Sequence, residues 1–148
     1  MTEKFPPFAT LKRVHVIGVC GTLMAPFAAF LKRSGVDVTG SDQAVYPPMS
    51  DLLRKAGVDL IEGYRAENIT QARRGTPELI VIGNVISATH PEAQAATAAG
   101  IRTCSFPEAL ENLVLGGTRN FVVAGTHGKT TTSSMMAHVF HANKLQPN

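Results

Sequence analysis

The fold is decided by the stretch Val14-His15-Val16-Ile17-Gly18-Val19-Cys20-Gly21-Thr22-Leu23-Met24. Residues that favour extended backbone are followed by a glycine turn, and the alanine-rich segment from Met24 to Ser34 then has the apolar spacing of a helix that ends at Gly35. A strand that leads through a glycine turn directly into a helix is typical of a parallel α/β unit. It places the helix N-terminus, which attracts anions, at the carboxyl end of the strand.

The same alternation of strand and helix continues along the chain. Further strands are predicted at Val36–Thr39, Val58–Glu62, Leu79–Ile82, Ile101–Cys104 and Phe121–Ala124. Helices are predicted at Pro48–Ala56, Glu67–Arg73, Thr89–Ala99 and Ser105–Leu115, with a last one ending near Asn143. Two of them open with a capping-box pattern, Thr89-His90-Pro91-Glu92 and Ser105-Phe106-Pro107-Glu108. The alternation predicts a Rossmann-like parallel sheet with helices on both faces and right-handed crossovers.

A domain boundary is predicted at Gly116-Gly117-Thr118. Residues 12–117 would form one α/β domain, and residues 118–148 would contribute the first strand, phosphate-type loop and helix of a truncated second domain. The predicted strand Phe121–Ala124 would lack its sheet partners. An apolar stripe on the last helix would lack a core, and its residues are Met135, Met136, Val139 and Phe140. We therefore expect this tail to be the least securely packed part and open to self-association.

Composition excludes several classes of protein. Hydrophobic residues make up 44% and charged residues 17% of the 148 residues, which is typical of a globular domain. The net charge of +3 is scattered and aromatic residues are 6%, so we expect no nucleic-acid partner. No apolar run reaches the roughly 18 residues of a membrane span, and Met1–Thr10 does not resemble a secretory signal. The cytoplasm and no membrane partner are therefore expected. Cys20 and Cys104 suggest buried thiols.

The strongest functional motif is Gly125-Thr126-His127-Gly128-Lys129-Thr130-Thr131, which follows an apolar run and opens a helix. In such a loop the backbone N–H groups surround phosphates, Lys129 reaches their outer oxygens and Thr130 offers its hydroxyl to Mg²⁺. It departs from the general P-loop pattern, because Val123 holds the first glycine slot. A plain glycine turn with solvated Lys129 and threonines is the alternative.

The loop after the first strand lies where a dinucleotide fingerprint would, and Asp42 lies where such folds place an acid that binds ribose. However, Cys20 and Leu23 hold the slots of the second and third fingerprint glycines, which argues against NAD. The loop remains compatible with phosphate binding or with a plain turn. Asp42 and Asn84, both after predicted strands, would contact a ligand or simply form turns. His15, within an apolar strand, is interpreted as a buried structural histidine.

Several motifs together resemble the Mur ligase family. Val122-Val123-Ala124 and the loop after it are similar to the ATP loop of these enzymes. The first loop is similar to that of the branch that recycles murein peptides, as are Gly40-Ser41-Asp42, Val45-Tyr46-Pro47-Pro48-Met49-Ser50 and Val81-Ile82-Gly83-Asn84. The branch that adds L-alanine usually has glycines at the positions of Cys20 and Leu23, and it remains the alternative. The resemblance extends from Lys12 to the end of the chain.

The resemblance implies an ATP-dependent ligase in which ATP phosphorylates the carboxylate of UDP-N-acetylmuramate and the amine of a murein tripeptide attacks the acyl phosphate. Lys129 would be catalytic and Thr130 would bind Mg²⁺. ATP would be bound by Gly125, Thr126, His127, Gly128, Lys129, Thr130 and Thr131. The UDP-sugar would be bound by Gly18, Val19, Cys20, Gly21, Thr22, Leu23, Met24, Ser41, Asp42 and Asn84. The three-domain family architecture implies that this piece alone binds only the UDP moiety.

Two other hypotheses remain open. One is a non-catalytic nucleotide-binding module of Rossmann type, and the other is an NAD-binding domain of an oxidoreductase. The missing fingerprint glycines and the extra phosphate loop argue against the second.

Overall fold

The computed structural model describes residues 8–71, 75–87, 89–116 and 118–145. The chain divides into two compact units, residues 1–116 and residues 117–148. The strands of the first unit are β1 (Arg13–Ile17), β2 (Asp37–Asp42), β3 (Asp59–Glu62), β4 (Leu79–Ile82) and β5 (Arg102–Ser105). They form one sheet with the order β3-β2-β1-β4-β5, and every neighbouring pair is parallel. The predicted parallel α/β fold is confirmed.

Helices alternate with these strands. They are α1 (Met24–Arg33), α2 (Met49–Ala56), α3 (Glu67–Thr70), α4 (Pro91–Ala98) and α5 (Phe106–Leu110), with α6 (Lys129–Ala142) in the second unit. A π-helical turn, Glu111–Leu115, continues α5, and a 3₁₀ turn, Phe8–Thr10, precedes β1. The helix predicted to reach Arg73 ends at Thr70, and residues 72–74 lie outside the described residues. None of the described helices is long and apolar enough to span a membrane.

The sheet has an apolar core on each face because its side chains alternate. Val14 and Val16 of β1 belong to the larger cluster, which also holds Leu31 of α1 and Leu53 of α2. Ile17 belongs to the smaller cluster with Ile69 of α3 and Ala96 of α4. His15 alternates with Val14 and Val16 and so shares the face of Ile17. The imidazole of His15 therefore lies on the face of the sheet that α3 and α4 cover.

β2 runs three residues further than predicted, to Asp42 instead of Thr39. Ser41 pairs with Ile17 of β1 on one side and with Ile61 of β3 on the other. Gly40 misled the prediction because glycine usually weakens a strand, but here it permits a close approach. A Cβ atom at Gly40 would lie 2.6 Å from the Cβ of Val19. The extension carries Ser41 and Asp42 to the carboxyl edge of the sheet.

The predicted sixth strand is wrong. Residues 121–124 adopt no regular structure, and no described strand pairs with them. A strand needs a neighbour to satisfy its backbone N–H and C=O groups, so an apolar run alone does not form one. The Phe121 ring contacts the Phe140 ring of α6, with centroids 5.0 Å apart. No described residue of α6 is buried.

The two predicted capping boxes have different outcomes. At α5 the box is confirmed, since Glu108 N–H donates to Ser105 Oγ at 3.4 Å and Ser105 N–H donates to Glu108 Oε2 at 3.2 Å. At α4 the prediction is wrong, because His90 is the N-cap residue and makes no side-chain cap. Glu92 instead points into the interior and is fully buried. The buried hydrogen bonds that Glu92 finds there outcompete a surface cap.

Candidate functional site

The loop after β1 is fixed by the end of β2. The N–H groups of Gly18 and Val19 both donate to the carbonyl of Ser41, at 2.8 and 3.1 Å. Gly18 has a φ of 78°, a left-handed conformation that favours glycine, and Gly21 N–H closes a turn onto its carbonyl at 3.2 Å. Helix α1 begins at Met24, just after this turn. Its first N–H groups thus face the carboxyl edge of the sheet, where an anion would be stabilised.

Asp42 holds the same loop through its side chain. Cys20 N–H donates to Asp42 Oδ2 at 2.8 Å, and Ala44 N–H donates to Oδ1 at 3.1 Å. Each carboxylate oxygen keeps a lone pair for a further donor. Burial, with the Asp42 charge as the next cause, raises the pKa of the Cys20 thiol, which therefore stays protonated at neutral pH. Asp42 both orients the loop and presents an acceptor beside it.

A cavity of about 450 Å³ opens at this edge. Its volume falls within the range of small-molecule sites, which are concave and largely apolar with a few polar groups. The strand order reverses here, because the chain runs from β1 outwards to β2 and β3 and then returns to β4 on the other side of β1. Ligands of open α/β sheets bind at such points. The lining residues are Gly18, Cys20, Gly21, Thr22, Asp42, Ala44, Tyr46, Pro47, Pro48, Met49, Tyr64 and Val85.

Tyr64, just after β3, forms another wall of the cavity. Its ring meets the His90 ring edge to face, with centroids 4.4 Å apart. Burial is the main cause that raises the pKa of Tyr64, and the Asp42 carboxylate adds to it. The phenol therefore remains a hydrogen-bond donor at neutral pH. Both ring nitrogens of His90 are buried without a hydrogen-bond partner, so the contact of His90 with Tyr64 is one of packing.

The structure gathers five of the predicted UDP-sugar residues around the cavity, namely Gly18, Cys20, Gly21, Thr22 and Asp42. Three others, Val19, Met24 and Ser41, are buried and support the loop from beneath. Leu23 is 65% exposed and does not line the cavity. Asn84 lines a second cavity of about 370 Å³ over the ends of β4 and β5. The predicted residues thus lie on one edge of the sheet, but not all face one pocket.

The second cavity contains another thiol. Cys104 lies among its lining residues, and burial raises the pKa of this thiol to about 12. Cys104 is therefore a protonated, unreactive side chain at neutral pH. Ser105 and Glu108 of the same lining are occupied by the α5 cap described above.

The phosphate-type loop belongs to the second unit. Gly125 and Gly128 have positive φ values of 155° and 78°, and α6 starts at Lys129 immediately after. The Lys129 ammonium donates to the carbonyls of Gly125 at 2.7 Å and Thr126 at 3.3 Å. His127, Thr130 and Thr131 are exposed. Within the described residues, no group of three or more His, Cys, Asp or Glu could hold a metal ion.

Comparison with known proteins identifies the family. The family model described as "Mur ligase family, catalytic domain" matches residues 13–117, which is more than two-thirds of the chain. This chain belongs to the Mur ligase family. A crystal structure of the murein peptide ligase from Psychrobacter arcticus superimposes with a TM-score of 0.81 and is 39% identical, covering 88% of this chain and 26% of that one.

Curated Mur ligases from two branches are similar to this family member. The UDP-N-acetylmuramate--L-alanyl-gamma-D-glutamyl-meso-2,6-diaminoheptandioate ligase of Escherichia coli strain K12 is 40% identical over 91% of this chain and 29% of its own length. The UDP-N-acetylmuramate--L-alanine ligase of Arthrobacter strain FB24 is 42% identical over 93% of this chain and 28% of its own length. The chain therefore spans about three-tenths of the length of these relatives.

Sequence reasoning missed two features of this candidate site. Tyr64 follows β3 as Asp42 follows the strand predicted at Val36–Thr39, and a search for polar residues after every predicted strand would have found it. Glu92 was interpreted as a cap because its spacing from Thr89 fits that motif. Nothing in the local sequence distinguishes a glutamate that caps its helix from one that turns towards the sheet.

Proposed function

We propose that the first unit of this chain binds the UDP moiety of UDP-N-acetylmuramate in the cavity beside the loop 18–22. The observation that carries the proposal is the fixed loop itself. The Ser41 carbonyl accepts from two N–H groups of the loop and the Asp42 carboxylate accepts from a third, so the loop is held at the edge of the cavity just before the N-terminus of α1. The N–H groups of residues 18–21 already donate within the protein, so a diphosphate placed there would be stabilised by the dipole of α1 and by the N–H groups of Thr22 and Leu23 just before that helix.

The remaining groups of the cavity suit a nucleoside sugar. The Asp42 carboxylate can accept from a ribose hydroxyl or a uracil N–H. Tyr64 donates through its protonated phenol, and the rings of Tyr46, Pro47 and Pro48 supply apolar surface for a flat base. Asn84 and the second cavity would lie further along the same edge of the sheet. The site is thus built for an anion flanked by a polar and an apolar wall.

We further propose that the loop 125–131 binds ATP in a peptidoglycan ligase that joins a murein tripeptide to UDP-N-acetylmuramate. Its glycines have positive φ values, and the N-terminus of the 14-residue helix α6 has no side-chain cap, as in a loop that binds phosphate through backbone N–H groups. Lys129 would exchange its bonds to the loop carbonyls for phosphate oxygens and would stabilise the charge on the transferred phosphoryl group. Thr130 would offer one oxygen to Mg²⁺, whose chemistry is to neutralise phosphate charge.

The branch that adds L-alanine is a second candidate, since relatives of that name match with similar identity. The tripeptide branch is supported by Cys20 and Leu23, the positions at which the L-alanine branch usually has glycine. Residues 1–148 tested alone should bind the UDP moiety without forming product from either amine, because they span only about three-tenths of the relatives' length. Product above the no-enzyme control would contradict this.

Calorimetric titration tests the proposal. The chain is titrated separately with UDP-N-acetylmuramate, UDP and NAD under identical conditions. We expect binding of the first two and none of NAD, because Cys20 and Leu23 replace the glycines that let a dinucleotide approach. Binding of NAD without binding of UDP would support the oxidoreductase hypothesis instead. If none of the three ligands binds, the cavity is not a nucleotide site.

A further inference from the structure

A buried polar cluster lies beneath the cavity, on the face of the sheet covered by α3 and α4. His15 of β1, Ser41 of β2 and Glu92 of α4 are 1%, 0% and 0% exposed. Burying so many polar groups is costly unless each finds partners. None of these side chains lines the cavity. The cluster therefore needs an explanation other than direct ligand contact.

The hydrogen bonds of the cluster form a chain with one direction. Ser41 Oγ donates to Glu92 Oε2 at 2.6 Å. Because a hydroxyl has a single proton, His15 Nε2, at 3.2 Å from Ser41 Oγ, must donate to it. His15 Nδ1 then has no proton and accepts from Thr39 Oγ1 at 2.8 Å. His15 is therefore the neutral imidazole with its proton on Nε2.

The second oxygen of Glu92 reaches a different part of the molecule. Glu92 Oε1 accepts from the backbone N–H of Arg65 at 3.3 Å and from the amide Nδ2 of Asn68. The Asn68 amide also donates to the carbonyl of Gly63 at 2.9 Å. The segment from Gly63 to Asn68 contains Tyr64, which lines the cavity beside the glycine loop. Glu92 therefore fixes the segment that carries Tyr64.

The first oxygen of Glu92 reaches the other wall through Ser41. The Ser41 carbonyl accepts from both Gly18 and Val19, and the next residue, Asp42, accepts from Cys20. One carboxylate is thus bonded to the strand end that holds the glycine loop and to the segment that holds Tyr64. The two walls are separated in sequence by more than 40 residues, and Tyr64 also approaches Gly18 and the backbone of Gln43 through its hydroxyl.

We propose that Glu92 is a positioning residue that sets the spacing between the glycine loop and Tyr64, acting through Ser41 on one side and Arg65 on the other. The identity of the ligand rests on the proposed function, but the role of Glu92 does not. The proposal rests on the geometry of Glu92, whose two carboxylate oxygens bond to different segments of the chain.

The test compares Glu92→Gln with Glu111→Gln, the same change at an exposed carboxylate. In Glu92→Gln the new side chain must present its NH₂ group to Ser41 Oγ while its carbonyl still faces Arg65 and Asn68. The Ser41 proton then turns to His15 Nε2, and the His15 proton moves to Nδ1. We expect the ¹⁵N spectrum of the His15 ring to show the Nε2–H tautomer in the original chain and the Nδ1–H tautomer in Glu92→Gln.

Two further readouts decide the positioning role. In Glu92→Gln the amide resonances of Gly18 to Cys20 and of Tyr64 should shift, and UDP should bind at least about ten-fold more weakly. Glu111→Gln should change neither. Shifts confined to α4, or an Nδ1–H tautomer in the original chain, would overturn the proposal. If Glu92→Gln does not fold, Ser41→Ala removes the same link and should shift the same loop amides.

The outcomes separate the two proposals. If the original chain does not bind UDP but the tautomer and the amide shifts behave as expected, the proposed function is wrong and the positioning role of Glu92 stands. If UDP binds equally well to the original chain and to folded Glu92→Gln, the positioning role is wrong and the proposed function stands.

Discussion

The two units of this chain use the same local pattern with different results. In the first, an apolar run, a glycine loop and a helix give β1, the loop 18–22 and α1, all packed around a buried core. In the second, the run 121–124, the loop 125–128 and α6 follow the same order, yet none of the residues described between 118 and 145 is buried. β1 has a parallel neighbour on each side, and residues 121–124 have none among the described strands.

The difference shows that a segment forms a strand only where a neighbouring strand pairs with its backbone. Val14 to Ile17 satisfy their backbone groups on β2 and β4, and their side chains alternate into two apolar clusters. Phe121 and Val122 are as apolar, but they are 61% and 89% exposed, and none of the described strands pairs with their backbone. The helix forms in both units because its hydrogen bonds are internal. The local pattern therefore predicts α6 correctly but not a strand at residues 121–124.

The largest expected effect is in amide hydrogen exchange. The amides of Val14 to Ile17 can exchange only when the whole first unit unfolds. Those of Met135 to Phe140 can exchange when α6 frays, because none of the described residues of that helix is buried. We expect the β1 amides to exchange on the order of 1,000-fold more slowly in a dilute monomer. Similar rates in the two segments would show that the second unit is stably packed, contrary to this account.

A matched pair of truncations should separate the two units next. Leu31 of α1 is fully buried in the larger cluster, so Leu31→Ala should lower the free energy of unfolding by roughly 2–5 kcal/mol. Val139 of α6 is 55% exposed, and Val139→Ala should change the free energy of unfolding by less than about 0.5 kcal/mol. Denaturant unfolding measures both. An equal loss in the two variants would mean that α6 belongs to the cooperative core.

His15 should make the stability of the first unit depend on pH. Burial lowers the pKa of His15 to about 4, from an ordinary value of 6.5 in the unfolded chain. Between these two values the unfolded chain binds more protons, so the stabilisation is complete above pH 6.5 and is lost as the pH falls towards 4. From pH 7.5 to pH 5 the loss is about 2 kcal/mol.

The control for this effect is His15→Gln, which keeps a hydrogen-bonding group but does not titrate. Its free energy of unfolding should fall about 2 kcal/mol less than that of the original chain over the same pH range. Carboxylates contribute equally to both proteins, and Glu92, whose Oε2 lies 4.0 Å from His15 Nε2, is present in both. Parallel pH profiles for the two proteins would show that His15 is not buried in the neutral form.

Much of the fold of the first unit can be predicted from its sequence, because short local signals indicate where its strands and helices begin or end. The β-branched runs of β1 and β4, the helix stop at Gly57 and the Ser105 cap each predict their element without help from the rest of the chain. The end of β2 could not be predicted, because Gly40 is explained only by the approach of Val19 in three dimensions. The same holds for Glu92, whose partners come from three separate segments.

The smallest expected effect concerns ligand affinity. Asp42→Ala removes the acceptor that faces the cavity and the anchor of Cys20 N–H, so UDP binding should weaken by roughly 1–2 kcal/mol. Asp51→Ala, at an exposed position of α2, is the matched control and should leave the affinity unchanged. Lys129→Ala should also leave it unchanged, because Lys129 belongs to the second unit. Calorimetry that finds full UDP affinity in folded Asp42→Ala would remove Asp42 from the site.

We expect the proposed nucleotide-sugar site to be built by the first unit alone. This expectation is tested most directly by recording amide ¹H–¹⁵N spectra of the ¹⁵N-labelled chain as UDP-N-acetylmuramate is added. We predict that the largest shifts occur at Cys20, Gly21 and Thr22, with smaller ones near Asp42 and Tyr64, and that the amides of Lys129 to Ala142 do not move. Saturable binding whose largest shifts fall within α6, or outside the loops at the carboxyl edge of the sheet, would contradict the account.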